Sequence, residues 1–314
     1  MKNKMKTGIL LAILAAALYA LNAPLSKRLL AYMPPTLMAG FLYHGAGVGM
    51  GILALVRRAR KTTQEEKSLT KKELPFVVAM ILLDIAAPIL LLTGLSATTA
   101  ENASLLNNFE IVMTAMIAFV LFKEAIGPRL WWGIACVTAA CLLLSFESVE
   151  SLQFSQGSLF ILLACVCWGL ENNCTRKISS KDPLQIVLLK GIFSGLGSIV
   201  IGFCIGERLT NGWIVAAVAT LGFVTYGLSI FAYVYAQRLI GAARTSAYYA
   251  VAPFIGVLLS LLVFRELPNA LFFVALIVMA IGAWLCSSDK PLWKREKVKT
   301  HGNVQEEPKE DCAE

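Results

Sequence analysis

The sequence predicts an all-α membrane protein of ten transmembrane helices, arranged as two inverted five-helix repeats. Three observations predict this. The 314 residues are 57% hydrophobic and 15% charged, with mean hydropathy +0.69, more apolar surface than a soluble core of this length needs. Apolar stretches recur at a length of about 20 residues, enough to cross about 30 Å of hydrocarbon at about 1.5 Å per residue. Finally, the chain reads twice. Gly8 aligns with Gly157, Leu21 with Leu170, and Lys27-Arg28 with Arg176-Lys177. Further along, Gly45, Gly49 and Gly51 align with Gly191, Gly195 and Gly197, and VLFKE (120–124) aligns with LVFRE (262–266). The offset drifts only from 149 to 146 to 142, as expected for one unit copied end to end.

The expected spans are 8–26, 35–56, 74–95, 99–122 and 128–146 in the first copy. In the second they are 157–176, 184–206, 212–237, 243–264 and 268–287. Five spans per copy is odd, so the second copy crosses the membrane in the opposite sense. The repeats are therefore 1–146 and 157–288, followed by a polar, charge-mixed tail, 289–314, expected to be disordered and cytoplasmic. The start MKNKMK before an apolar run resembles a signal peptide. The run is long, however, and its partner in the second copy lies mid-chain, so a retained span is expected.

Lys and Arg set the orientation. With the N-terminus inside, the inner segments hold 23 of the 28 basic residues, seven of them in the 57–73 loop. Both termini are thus expected to be cytoplasmic. The net charge of +8 becomes a topology signal rather than a nucleic-acid footprint, although basic loops could also touch anionic lipid heads. Of eight cysteines, seven fall in or beside spans, none has metal-site spacing with a nearby histidine, and there are only two His residues. Small apolar packing residues are the expectation, with no metal and no cofactor.

Tyr19-Ala20 and Trp168-Gly169 form an aromatic-plus-small signature in the first helix of each copy. The second helix is glycine-rich, and Glu124 and Glu266 close the fourth helices. In these features, from Gly8 to Ser287, the chain resembles the drug/metabolite transporter superfamily, specifically the ten-helix EamA-type family. The resemblance implies transport of a small organic metabolite, with substrates varied across the family and the direction open. It also implies a multi-pass protein of a bacterial inner (plasma) membrane, a monomer or homodimer, with the lipid bilayer and a small-molecule substrate as partners. One departure matters. Pro253 stands inside the fourth helix of the second copy, where the first copy has Ile111, so an unbroken first-copy helix is expected there.

Ionisable groups inside spans are costly and read as functional by default. Asp84 lies about 15 Å into the third span and Glu110 about 16 Å into the fourth, both near the midplane. They form a candidate proton-coupling pair, or a cation-binding patch for an amine-bearing substrate; the competing reading is structural pairing with amides or backbone. Glu171 and Lys190 have equal depth, about 9 Å from the inner boundary, which allows an ion pair or gate; Lys190 could instead snorkel to the surface. The duplication puts Asn22 and His44 at the equivalent positions, as ligand contacts, a gate or a helix–helix hydrogen bond. Asn107 and Asn108, one turn before Glu110, offer donors and acceptors to a ligand, or glue between helices. Tyr248 and Tyr249 precede Pro253, and Tyr226 aligns with Asp84; each is a candidate ligand contact or a packing ring. Glu124 and Glu266 read as helix-end punctuation. The glycines, four apart in each copy, predict close helix packing.

The leading expectation is a secondary transporter, working by rocking of five-helix bundles around a midplane cavity, with an ion gradient or exchange as its energy. No G-x-x-x-x-G-K-[ST] points to ATP. An intramembrane enzyme would need a nucleophile–base or metal set, and H-E-x-x-H and G-x-S-x-G are both absent. A non-transporting membrane sensor or assembly subunit is the other alternative. A zwitterionic or amine-bearing substrate is the preferred class.

Overall fold

The computed structural model describes residues 2–59, 69–123, 126–146, 155–178, 181–209, 211–240, 245 and 248–287. The first span is α1 (Lys2–Ala20) and α2 (Asn22–Leu29), separated by one turn residue, Leu21. Next come α3 (Pro35–Ala59), α4 (Leu74–Ser96), α5 (Ala100–Leu106), α6 (Phe109–Phe122) and α7 (Pro128–Ser145). The second copy opens with α8 (Gln156–Ile178). Its next span is α9 (Pro183–Leu189), a π-helical turn (Lys190–Ser194) and α10 (Gly195–Cys204). Then follow α11 (Gly212–Gly222), a second π turn (Phe223–Leu228), α12 (Ser229–Ile240), α13 (Ala252–Phe264) and α14 (Ala270–Ser287). Among the described residues, eight helical stretches are long and apolar enough to cross a membrane; α13 and α14 are shorter apolar helices. No strand is present among the described residues.

Several of these helices start where a side chain satisfies an otherwise orphaned backbone N–H group. Thr99 accepts from the Asn102 N–H (3.2 Å), Asp182 from Leu184 (2.9 Å) and Asn211 from Trp213 (3.0 Å). Two ends carry the imprint of duplication. Lys123 (φ 53°) and Arg265 (φ 57°), equivalent under the 142 offset, both close their helices in the left-handed conformation, without glycine. Glu124 lies outside the described residues, and Glu266 is exposed. The residue before each glutamate thus performs the stop.

The expected unbroken fourth helix is corrected. It is interrupted at Asn107-Asn108, where the Asn108, Glu110 and Ile111 N–H groups bond three residues back, to Leu105, Asn107 and Asn108 (3.0, 3.2 and 3.0 Å). The break needs no proline. Asparagine competes weakly for helix interiors because its amide offers the backbone another partner, and Asn108 Nδ2 donates to the Leu105 carbonyl (3.2 Å). The expected span 243–264 is described as helix continuously only from Ala252; most of 241–247, and the tail 289–314, lie outside the described residues.

The two five-helix repeats interlock along their length. The most extensive helix contacts join the copies: α4 with α8, and its equivalent, α12 with α1. The copies also meet where α7 meets α14 and α3 meets α10, each an equivalent pair. The physical reason lies in the glycine seam. A Cβ on Gly45 would stand 2.1 Å from the Ala219 carbonyl oxygen, one on Gly191 2.4 Å from the Gly47 Cα, and one on Gly222 1.9 Å from the Leu42 carbonyl oxygen. Only glycine lets these backbones approach so closely.

Polar contacts sort the loops into two faces. At one, Lys181 Nζ is 3.2 Å from Glu73, and the Leu69 N–H donates to Gln185 (3.0 Å). At the other, Lys27 Nζ donates to the Leu95 carbonyl (2.7 Å), and Glu207 accepts from the Thr36 and Leu37 N–H groups (3.2 and 2.7 Å). This grouping is what alternating spans require.

Candidate functional site

The irregular backbone converges on one polar layer. Lys190 opens the first π turn, Tyr226 lies in the second, and Pro88 interrupts the hydrogen bonding of α4 four residues after Asp84. π turns and proline leave backbone groups and side chains aimed where a regular helix would not put them. At membrane depth, such backbone persists where it is buried in protein or lines a cavity.

Three spans from both copies build a charged cluster. Lys190 Nζ lies 2.8 Å from Glu171 Oε1 and 3.3 Å from Asp84 Oδ2. Asp84 and Glu171 are 1% and 3% exposed, and Lys190 is half-buried at 17%. Thr175 donates to Glu171, and the Tyr43 hydroxyl donates to Asp84 Oδ1 (3.1 Å) while accepting from Trp168 Nε1 (3.4 Å). Lys190 is therefore shared between two carboxylates. Asp84 is bonded to Lys190 and Tyr43, not to Glu110.

Glu110 occupies a second cluster. Asn172 Nδ2 donates to its Oε1 (2.7 Å) and to Thr114 Oγ1 (3.2 Å). Asn173, next along, donates to the Thr114 and Gly169 carbonyls (3.1 and 2.8 Å), so it ties α8 to α6.

A third group repeats the first in neutral form. Asn22 Nδ2 donates to the Tyr226 hydroxyl (3.0 Å), and Ser26 donates to Asn22 Oδ1 (3.0 Å). Under the duplication, Asn22 and Tyr226 are the counterparts of Glu171 and Asp84; the neutral pair bonds directly, whereas the two carboxylates are joined through Lys190. His44, counterpart of Lys190, has a buried Nδ1 with no hydrogen-bond partner among the described residues. The ring of Tyr226 lies between those of Tyr43 (5.0 Å) and Tyr19 (6.1 Å), and Tyr249 is 6.0 Å from Tyr19 and 5.0 Å from Tyr233.

Beside these rings is a small cavity, lined among others by Tyr19, Asn22, Ala23, Asn107, Ala252 and Gly256. Asn107 Nδ2 donates to the Tyr19 hydroxyl (2.8 Å) at its wall. Of the predicted residues, Asn22 and Asn107 thus reach the cavity, and Tyr226 and Tyr249 reach the ring cluster. Asp84, Glu171 and Lys190 form the charged cluster, whereas Glu110 stands apart from it. Asn108 is buried and bonded to backbone. Tyr248 is 37% exposed, and no ring contact ties it to the cluster among the described residues.

Sequence reasoning missed Tyr43, Thr114 and Asn172. Asn172-Asn173 carries the same signal as Asn107-Asn108, adjacent amides in an apolar span, and was open to the same argument. Tyr43 gave no such signal, because a single tyrosine in a span reads equally as packing. No group of three or more His, Cys, Asp or Glu able to hold a metal is found among the described residues.

Known proteins share this architecture. A solved crystal structure superposes with a TM-score of 0.62 at 17% identity, covering 88% of this chain and 94% of that one, a likeness of fold. A relative from Methanothermobacter thermautotrophicus, described as an uncharacterized transporter, is 24% identical over 88% of this chain and 85% of its own. Two Bacillus subtilis relatives, the uncharacterized transporters YyaM and YvbV, are 23% and 25% identical, over 75% and 84% of this chain and 79% and 85% of their own. The EamA-like transporter family matches twice, at residues 6–146 and 155–288, once for each copy that the sequence and the inter-copy contacts define. The chain is therefore a multi-pass membrane protein and belongs to the EamA-like transporter family.

Proposed function

We propose that this chain is a secondary transporter of a small, amine-bearing or zwitterionic metabolite, alternating access between its inverted repeats and coupled to protons. The observation that carries the reading is the Asp84–Lys190–Glu171 cluster, its carboxylates buried, assembled from three spans of both copies. Two carboxylates share one ammonium, so when both are ionised one negative charge is uncompensated in a low-dielectric layer. A proton or a substrate cation supplies what is missing, and its arrival changes the forces between the copies. That is the differential interaction a two-state carrier needs. The basic-residue asymmetry supports both termini in the cytoplasm, and the family supports a plasma-membrane location.

The test uses purified protein in liposomes. A thermal-shift screen of metabolites selects ligands by mass action. Uptake of a hit is then measured with and without a pH gradient, and in counterflow. Gradient-driven accumulation, lost in Asp84→Asn while counterflow persists, is the expected result. Accumulation indifferent to the gradient would remove proton coupling. Absence of both uptake and counterflow for every stabilising compound would remove transport.

A further inference from the structure

The inverted repeats give cavity positions counterparts in the other copy, and at five of them the counterpart side chain is larger. Ala23, Ala252 and Gly256 line the cavity. Under the same offsets their counterparts are Asn172, Glu110 and Thr114, and Asn172 donates to the other two at 2.7 and 3.2 Å. Leu91 and Asn107 also line the cavity, and their counterparts are Tyr233 and Tyr249, whose rings meet at 5.0 Å. Three small residues on one side are replaced by three hydrogen-bonding ones on the other, and a Leu and an Asn by two tyrosines whose rings meet edge to face. The asymmetry is thus written in side-chain size as well as in conformation.

We propose that Glu110, Asn172 and Thr114 form a polar plug that occupies the counterpart of the cavity and closes the second access route. The two routes are then unequal. One is a preformed cavity walled by amide, hydroxyl and small side chains. The other opens only when the Asn172 bonds break, and it then presents a carboxylate, an amide and a hydroxyl. That donor–acceptor set matches a ligand ammonium, so a cationic group replaces Asn172 at Glu110. The identity of the ligand rests on the transport reading; the plug itself does not, and its test uses no substrate.

The test is thiol labelling of the full-length protein in nanodiscs, in a background with the native cysteines replaced by alanine. Single cysteines are placed at the plug (Thr114→Cys) and at the cavity (Ala23→Cys), and reaction with a membrane-impermeant maleimide is timed. Ala23→Cys is expected to react roughly tenfold faster than Thr114→Cys, as when about 1.4 kcal/mol of hydrogen bonding holds the plug shut. Adding Asn172→Ala should bring Thr114→Cys up to the Ala23→Cys rate and leave Ala23→Cys unchanged. Adding Glu110→Gln should leave labelling slow, because the amide oxygen still accepts from Asn172. Should Asn172→Ala fail to purify as a monodisperse species, Asn172→Ser takes its place, with the same expected acceleration. Equal rates at the two sites with Asn172 intact, or no acceleration when it is shortened, overturn the plug, whatever the transport assays give.

Discussion

Lys190, in the second repeat, places its Nζ 3.3 Å from Oδ2 of Asp84, in the first. The same nitrogen is 2.8 Å from Glu171, so the contact expected as an ion pair is one ammonium between two carboxylates. The single substitutions are therefore unequal. Lys190→Met strands both acids and is expected to cost about 3–5 kcal/mol, the range for an orphaned buried charge. Glu171→Gln leaves Lys190 with Asp84 and should cost clearly less. Unfolding in detergent, followed by tryptophan fluorescence, checks the order; only when Asp84→Asn and Glu171→Gln are combined with Lys190→Met should stability recover.

The neutral counterpart makes a second prediction. Tyr226→Phe removes the acceptor of the 3.0 Å bond from Asn22 and leaves its amide, 4% exposed, without that partner. The expected cost is about 1–3 kcal/mol, seen as a lower melting temperature. Combining Asn22→Leu with Tyr226→Phe should cost less than the sum of the single changes, since the second no longer strands a donor.

The glycine seam predicts a graded series. Gly45→Ala would put its Cβ 2.1 Å from a backbone carbonyl oxygen, which cannot step aside. A loss of about 1–3 kcal/mol or more is expected, with lower yield of folded protein. Gly51→Ala meets only the Leu188 Cδ1 at 3.2 Å, a side-chain end that can rotate, and should be nearly neutral. Size-exclusion profiles and melting temperatures of the two variants separate these outcomes.

Glu207 gives a fourth. Its carboxylate caps the first turn of α3 from the other repeat, accepting from the Thr36 and Leu37 N–H groups. Glu207→Ala should lower stability by about 0.5–2 kcal/mol, the usual worth of an N-terminal cap. Glu207→Gln keeps an acceptor but loses the charge, and should fall between the two in thermal unfolding.

Much of this protein was legible from sequence for a physical reason. The need to satisfy every backbone group in hydrocarbon leaves apolar helices of fixed length, which composition alone announces. The duplication then fixed the number of spans and their inverted sense. Hydropathy marked Asp84, Glu110, Glu171 and Lys190 as charges within apolar spans. Their grouping was not legible. Linear depth put Asp84 beside Glu110, whereas helix rotation and π turns bring it to Lys190 and Tyr43. The break at Asn107-Asn108 was missed because only proline was counted as a helix breaker.

Spacing, hydropathy and the repeated register by themselves determined the architecture, because each is a property of residues close in the chain. Which face each helix turns inward, and so which charge meets which, was decided by glycine contacts between distant spans. A Cβ at Gly191 or Gly222 would push those spans apart and separate the partners. Those contacts exist only in the folded protein, and the lysine shared by two carboxylates exists only there as well.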